Sequence, residues 1–318
     1  MKRARLIMNP VSGEQSNPMK LPEIVAALEA ANIRADLTFT APDRSPTQIA
    51  QQAVEEGYEM VIVGGGDGTV SEVAKGLIHA SIPLGIIPIG TYNNIARSLD
   101  LPMELAAACQ VLAQGRVRAI DVGQANNKHY FFEVAGVGLD AALFPFGEAI
   151  KGGRWERVLQ AAQLAMAYKP QHIRIVLDRP ILQAKTQSNR RSLFHRSMLA
   201  RTRHRRELRF SVMLVVIANG PYYGAGFTVA PDACMDDGLL TVSVFRGFSK
   251  WQLLRHFWAI SKGQYHYSPK IETYHVAELW ITAPYAELPV HIDGHQIGEL
   301  PATFKVIQQA LKVLVPTE

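Results

Sequence analysis

No uninterrupted apolar run approaches the 18 or so residues that a membrane span needs, and the opening MKRARLIMNPVSG has too short an apolar core for a signal peptide. A chain that stays inside the cell is the expectation. Cysteine is nearly absent: Cys109 and Cys234 lie far apart and match no CxxC or zinc spacing. Neither a disulfide framework nor a structural metal knuckle is indicated, and buried free thiols are expected. HExxH, the Walker A pattern GxxxxGKS/T and GxSxG are missing as well, which removes the usual signatures of zinc proteases, P-loop enzymes and serine hydrolases. Acids are missing from one place in particular. Residues 180–210 hold nine Lys and Arg against a single acid, Glu207, while the whole chain carries only +5. The remainder is therefore net negative, and basicity belongs to one segment. That segment has little apolar periodicity and reads as a long mobile insertion between strands. Nucleic acid or an anionic membrane surface would attract it, and a merely solvated loop is the bland alternative.

What is present is ordinary for a globular protein, with 48% hydrophobic and 19% charged residues among 318, enough for two domains with separate cores. The first third alternates short apolar runs with helical patterns. ARLIMN reads as a strand, PEIVAALEAAN as a helix opened by proline, RADLTFT as a strand and PTQIAQQAVEEG as a helix ended by Gly57. The run Met60–Val63, the strand PLGIIPIG and the helix MELAAACQVLAQG continue the series. Repeated βα units predict a parallel, doubly wound sheet with sites at the carboxyl ends of its strands. After about residue 123 strands and turns take over, with helical interludes around 148–168 and 249–262, which predicts an antiparallel sandwich or similar β domain. The final ALKVLVP is one more buried-strand pattern, placed to return to the first sheet. The expected division is 1–123 with 302–318 as a nucleotide-binding α/β domain, and 124–301 as a β-sandwich domain for the substrate.

The stretch VIVGGGDGTVSEV, residues 61–73, follows a buried-strand run and leads into a helix expected to start near Thr69 or Ser71. Between strand and helix, glycine lets a phosphate approach loop amides and the positive end of the helix dipole. Asp67 is the odd member of that anion site, because a bare carboxylate repels phosphate unless a cation such as Mg²⁺ lies between them. The bland reading is a tight turn with a solvated aspartate on a solvent-facing loop. A second phosphate-friendly turn, IPIGTYNNIARSLDLP, follows the next strand. GVGLDA at 136–141 matches GxGxxA formally, but no parallel βαβ unit surrounds it. CMDDGLL at 234–240 suits either an oxygen-ligand cation site or an ordinary hairpin.

Five ordered motifs, NPVSG, GGGDGT, PIGTYNNIARSL, NGPYYGAGFTVAPDACMDDGLL and the DG at 293–294, carry a resemblance that spans nearly the entire chain. The sequence resembles the diacylglycerol kinase catalytic-domain family, which includes bacterial lipid kinases and sphingosine kinases. The resemblance implies an α/β N-terminal domain with a parallel doubly wound sheet, like that of NAD kinases and phosphofructokinases, followed by an antiparallel β-sandwich whose cleft admits lipid. It implies ATP and Mg²⁺ as cofactors. Gly65, Gly66, Asp67, Gly68 and Thr69 resemble the loop that binds ATP phosphates, with Asp67 acting through Mg²⁺, and Thr40 and Thr91 resemble further nucleotide contacts. Asp121 in AIDVG resembles a second carboxylate of a water-linked Mg²⁺ network. Asp237, with the main-chain oxygens of Cys234 and Leu239, resembles a structural magnesium site.

The chain departs from the family pattern in three places. Asn93-Asn94 stands where Asn-Asp is common, Ser71 where asparagine is usual, and His295 where the family's DGE motif has its glutamate general base. A neutral histidine can take a hydroxyl proton at neutral pH, so His295 is the candidate base, a structural histidine being the alternative. The expected function is an ATP- and Mg²⁺-dependent kinase acting on a hydroxyl of diacylglycerol or a related long-chain lipid. The competing readings are a non-catalytic, nucleotide-responsive lipid-binding protein and an NAD kinase. The expected setting is cytoplasmic with peripheral contact to anionic membrane, no specific nucleic acid and a homodimer as an option.

Overall fold

The computed structural model describes residues 2–10, 21–41, 43–139, 167–182, 200–201, 205–249 and 270–317, with helical positions at 160, 163, 251, 252, 255 and 259. The N-terminal half contributes β1 (Lys2–Met8), α1 (Leu21–Ala30), β2 (Ile33–Phe39), α2 (Pro46–Glu55), β3 (Met60–Gly65), α3 (Asp67–Gly76), β4 (Leu84–Pro88), α4 (Asn94–Ser98), α5 (Leu105–Gln114) and β5 (Arg116–Ala125). Strands β2, β1, β3 and β4 lie side by side, all parallel. Their near-continuous apolar stretches follow from burial on both faces. Val61, Val63 and Ile86 pack with α2 and α3, whereas Leu6, Ile62 and Ile87 pack toward α1 and α5.

The C-terminal half contributes β6 (His129–Phe131), β7 (Val134–Gly138), β8 (Gln171–Asp178), β9 (Ile181–Leu182), β10 (Ala200–Arg201), β11 (Arg206–Ala218), β12 (Tyr222–Tyr223), β13 (Phe227–Thr228), β14 (Leu240–Arg246), β15 (Ile271–Val276), β16 (Glu278–Thr282), β17 (Pro289–Ile292), β18 (His295–Glu299) and β19 (Ala302–Val315). All strand pairings within β6–β18 are antiparallel among the described residues. The long β11 pairs β8 through its first half and β7 through its second, with β14 on its other side. Val215 and Ile217 point into the sandwich core, and Leu214 and Val216 into a second apolar cluster on the opposite face. Burial on both faces explains why MLVVIA shows no alternation. Parallel N-terminal strands and an antiparallel β-sandwich are the architecture expected from the sequence.

Strand β19 joins the two halves. Phe304 and Leu279 stand opposite each other where β19 lines the sandwich, and after a bulge at 308–310 Val313 pairs with Leu84 of β4 in parallel. Strand β5 runs antiparallel to it from Arg116 to Ala125.

Four sequence expectations change. Helix α3 begins at Asp67, with Gly66 as an N-cap that has no side chain to offer, and not at Thr69 or Ser71. Asp67 is consequently half-buried in a first helical turn rather than held on a solvent-facing loop. The short α4 and strands β15 and β18 were not anticipated. The basic segment contains structure at both ends: β9, β10 and the first residues of β11 fall within 180–210, where Leu208 and Phe210 alternate with exposed charges and pack on the sandwich core. Residues 183–199 and 202–204 of that segment, 11–13 of NPVSG, most of the interlude at 148–168, and Trp258 lie outside the described residues.

Candidate active site

Two glycine turns meet at the carboxyl edge of the parallel sheet. Strand β3 ends at Gly65 and turns at Gly66 (φ −93°, ψ −178°) straight into α3. Strand β4 ends at Pro88 and turns at Gly90. The backbones touch: a Cβ built on Gly90 would lie 2.3 Å from the Gly66 Cα, so no side chain fits between them. Asn93, in the left-handed region at φ 52°, locks the second turn. Its Oδ1 accepts the Gly90 N–H at 3.0 Å and its Nδ2 donates to the Gly90 carbonyl at 2.9 Å.

Asp67 fills the corner between these turns. Its Oδ1 accepts the Ile95 N–H, from the first turn of α4, at 2.9 Å. Burial pushes its carboxyl above the ordinary aspartate value, against the opposing pull of the amides of Ile95 and its neighbours. Amide dipoles alone therefore do not offset desolvation, and a cation beside the carboxylate would. A single carboxylate flanked by phosphate oxygens and water suits Mg²⁺, which keeps several waters when bound. Gly68, one residue further, is exposed, and a Cβ added there meets nothing within 4 Å. The space over the start of α3 is open for an anion. Gly68→Ala should leave the melting temperature unchanged or slightly raised while raising the KM for a phosphate-bearing ligand several-fold, read by melting curves beside steady-state kinetics. An unaltered KM would remove the anion from this spot.

The remaining nucleotide candidates share this edge. Thr40 follows β2, its N–H donating to the Met8 carbonyl at 2.9 Å. Thr69 is buried against Gly65, where a Cβ would come within 2.8 Å of the threonine Cβ. Thr91 is exposed in the second turn.

Asp121 lies on β5. It is 1% exposed, and its carboxylate accepts the Gly238 N–H at 2.6 Å and the Gln309 N–H at 2.8 Å. It ties the loop 234–239 and the bulge of β19 to β5, and no hydrogen bond among the described residues joins it to Asp67. Within that loop Asp237 Oδ1 accepts the Leu239 N–H at 3.0 Å, and the Cys234 thiol donates to Asp236 at 2.9 Å. Burial pushes that thiol up to about 11. Among the described residues no three His, Cys, Asp or Glu side chains gather where they could hold a metal. A cation here would rest on Asp237, carbonyl oxygens and water.

A polar cluster between the two halves escaped the sequence reading. Asp293, at φ 41° in the β17–β18 turn, accepts the N–H groups of Phe132 (2.7 Å), Glu133 (2.9 Å) and Val134 (3.0 Å) and the Ser71 hydroxyl at 3.3 Å. Burial raises its carboxyl despite these donors. Asn94 donates through Nδ2 to Glu133 and to the Gly224 carbonyl, both at 2.9 Å. Asn219 donates to the carbonyls of Asp121 and Phe132. Helices α3 and α4 are thereby bound to the sandwich. The available signal was a polar residue interrupting a buried apolar run, as in FFEVAGVG and VVIANG. His295 opens β18 opposite Ile292, its exposed side chain making no hydrogen bond among the described residues.

Comparison with known proteins gives these motifs relatives. The family model described as "Diacylglycerol kinase catalytic domain" matches residues 3–125, and "YegS C-terminal NAD kinase beta sandwich-like domain" matches residues 150–315. The chain is 27% identical over 322 residues to a protein named diacylglycerol kinase in Staphylococcus carnosus (strain TM300), covering 100% of this chain and 96% of that one. It is 26% identical to one of the same name in Staphylococcus aureus (strain MRSA252), covering 100% and 93%. Among solved structures, a diacylglycerol kinase from Bacillus anthracis str. Sterne superposes with a TM-score of 0.71 at 21% identity, covering 99% of this chain and 97% of that one. At that identity the likeness speaks for the fold alone.

Proposed function

Because the chain belongs to the diacylglycerol kinase catalytic-domain family, we propose that it is an ATP- and Mg²⁺-dependent lipid kinase that phosphorylates a hydroxyl of diacylglycerol or a related long-chain lipid. The observation that carries this reading is the corner at Asp67. A half-buried acid, two glycine turns in backbone contact and the open start of α3 meet at the edge of a parallel sheet. ATP supplies the phosphoryl group, and Mg²⁺ neutralises charge on its phosphates. The amide of Gly68 and the start of α3 orient the phosphates, and Gly65 and Gly66 let them approach. Asp67 would hold the cation, with the hydroxyls of Thr40 and Thr91 and the main chain of Thr69 on the nucleotide. Asp121 holds the loop that carries Asp237 and the carbonyls of Cys234 and Leu239, the candidate structural cation site. Mg²⁺-dependent transfer of labelled phosphate from ATP to extractable lipid tests the proposal.

His295 takes the lipid hydroxyl's proton in this reading. Asp293 already accepts four hydrogen bonds, and its part is to fix the turn that presents His295. A general base acts in the transition state and not in ground-state binding, so the side chain at position 295 should act on kcat. His295→Ala should lower kcat far more than KM. His295→Glu should keep substantial activity. An active parent whose kcat is unaltered in His295→Ala removes the base assignment. An inert parent that gains turnover in His295→Glu turns the reading into that of a non-catalytic relative.

Peripheral contact with anionic membrane accompanies this function. Trp251 is 74% exposed, and the basic segment 180–210 contains β9 and runs into β11 of the sandwich. Each cation near the surface contributes about 1 kcal/mol at best. Sedimentation should show binding to acidic liposomes that falls at high salt and is weak for neutral ones. Indifference to charge and salt would contradict it, and a salt-sensitive preference for DNA would point to nucleic acid instead.

A further inference from the structure

Three acids lie buried or half-buried where the two halves of the chain meet. Asp67 opens α3, Asp293 sits in the β17–β18 turn, and Glu133, between β6 and β7, is 7% exposed. Phosphoryl transfer as proposed employs Asp67 and Asp293 but not Glu133. The main chain of Glu133 is nevertheless fixed from both sides: its N–H donates to Asp293 at 2.9 Å, and its carbonyl accepts the N–H groups of Asn219 at 2.9 Å and Gly220 at 3.2 Å. Its side chain reaches toward the nucleotide half, where Oε2 accepts from Asn94 at 2.9 Å.

Asn94 is the joint between Glu133 and Asp67. Its main-chain N–H, with those of Asn93 and Ile95, is turned to the Asp67 carboxylate. Its Nδ2 gives one hydrogen to Glu133 and the other to the Gly224 carbonyl. An acid at 94, common in the family pattern, has neither hydrogen to give. It would set one carboxylate against another, and against the Gly224 carbonyl, where little water screens them. The amide at 94 and the acid at 133 are therefore a matched pair, and the negative charge stands on the sandwich side, one asparagine away from Asp67. The pair is not saturated. Asn94 is 2% exposed and its Oδ1 has no hydrogen-bond partner. Such an atom in a native structure calls for a water or an ion. An amide oxygen within one side chain of two carboxylates offers the oxygen donors that Mg²⁺ takes, usually through its own waters.

We propose that Glu133 supplies a second negative charge to the divalent-cation site, acting across Asn94 without touching the ion. Its charge adds to that of Asp67 in drawing the hydrated cation. Its hydrogen bond holds Asn94 and with it the start of α4, whose Ile95 N–H orients the Asp67 carboxylate. Glu133 is thus a positioning residue on the opposite half of the molecule from the phosphate loop. The inference rests on the kinase reading, which supplies the cation together with the nucleotide.

Binding of Mn²⁺ to the intact chain in the presence of ADP, followed by electron paramagnetic resonance, tests it without turnover. Glu133→Gln keeps an Oε1 that accepts from Asn94 and removes only the charge. It should weaken Mn²⁺ binding about tenfold or more and raise the KM for Mg²⁺·ATP, with little change in melting temperature. Asn94→Asp alone opposes two carboxylates and should lower the melting temperature by several degrees. Asn94→Asp with Glu133→Gln returns the single charge to α4, with the glutamine Nε2 as donor, and should recover Mn²⁺ binding. Its melting temperature should recover in part, because the Gly224 carbonyl stays without its donor. A parent that binds Mn²⁺ with ADP while Glu133→Gln binds it equally well overturns this inference alone. So does a double variant that recovers nothing, or an Asn94→Asp variant as stable as the parent. A parent that binds no Mn²⁺ with ADP overturns the kinase reading and this inference with it.

Discussion

Asp67→Asn is expected to abolish phosphoryl transfer while leaving the protein at least as stable as the parent. Loss of one preorganised electrostatic group in a phosphoryl-transfer site costs roughly 100- to 1,000-fold in kcat. The stability half of the prediction follows from burial. The folded environment raises the Asp67 carboxyl above its ordinary value, so between the unfolded and folded pKa values the native chain binds more protons, and stability falls as pH rises through that window. Above it the ionised carboxylate is a standing cost. Asparagine removes the charge and still accepts the Ile95 N–H through its Oδ1. Turnover beside melting temperature at neutral pH checks both halves. Equal turnover in mutant and parent would reject the role of Asp67, and a large drop in melting temperature would reject the account of its environment.

Asp121→Ala is expected to have the opposite signature, a large loss of stability. The carboxylate is buried and accepts two backbone donors from segments 117 and 188 residues away in sequence, at Gly238 and Gln309. Removing it strands both donors beside β5. An unsatisfied buried donor such as the Gly238 N–H costs about 1–3 kcal/mol, and the part-buried Gln309 N–H costs less, so a loss of about 2–4 kcal/mol and a fall in melting temperature of roughly 4–15 °C are expected. The loop 234–239 and the β19 bulge should also become open to proteolysis. A mutant melting within a degree or two of the parent would mean that these hydrogen bonds do not anchor the loop.

The contrast between these residues shows which parts of the site were legible in the sequence. Strand β3, its glycine turn and the helix after it could be read because a continuous apolar run, glycines and 3.6-residue spacing are all local. The start of α3 was misplaced because Thr69 and Ser71 look like caps. In the fold they face inward, Thr69 against Gly65 and Ser71 toward Asp293, and the bare glycine at 66 takes the capping position. Helix α4, at five residues, is shorter than any window in which helical period can be recognised. Its start is held by Asp67, 28 residues earlier. The cluster of Asp293, Glu133, Asn94 and Ser71 depends on contacts spanning up to 222 residues, which no local pattern encodes. The family motifs pointed to Asp67 and to the turn at 293–294, but not to the hydrogen bonds that bind α3 and α4 to the sandwich.

The most direct test of the central claim is phosphoryl transfer itself. The intact chain would be incubated with labelled ATP and Mg²⁺ against diacylglycerol, related long-chain alcohols and NAD, with Asp67→Asn as the control. The account predicts label in an extractable phosphorylated lipid, lost on chelation of Mg²⁺ and in the mutant. Label in NAD phosphate, or no transfer to any lipid by a folded protein that binds ATP, would contradict it.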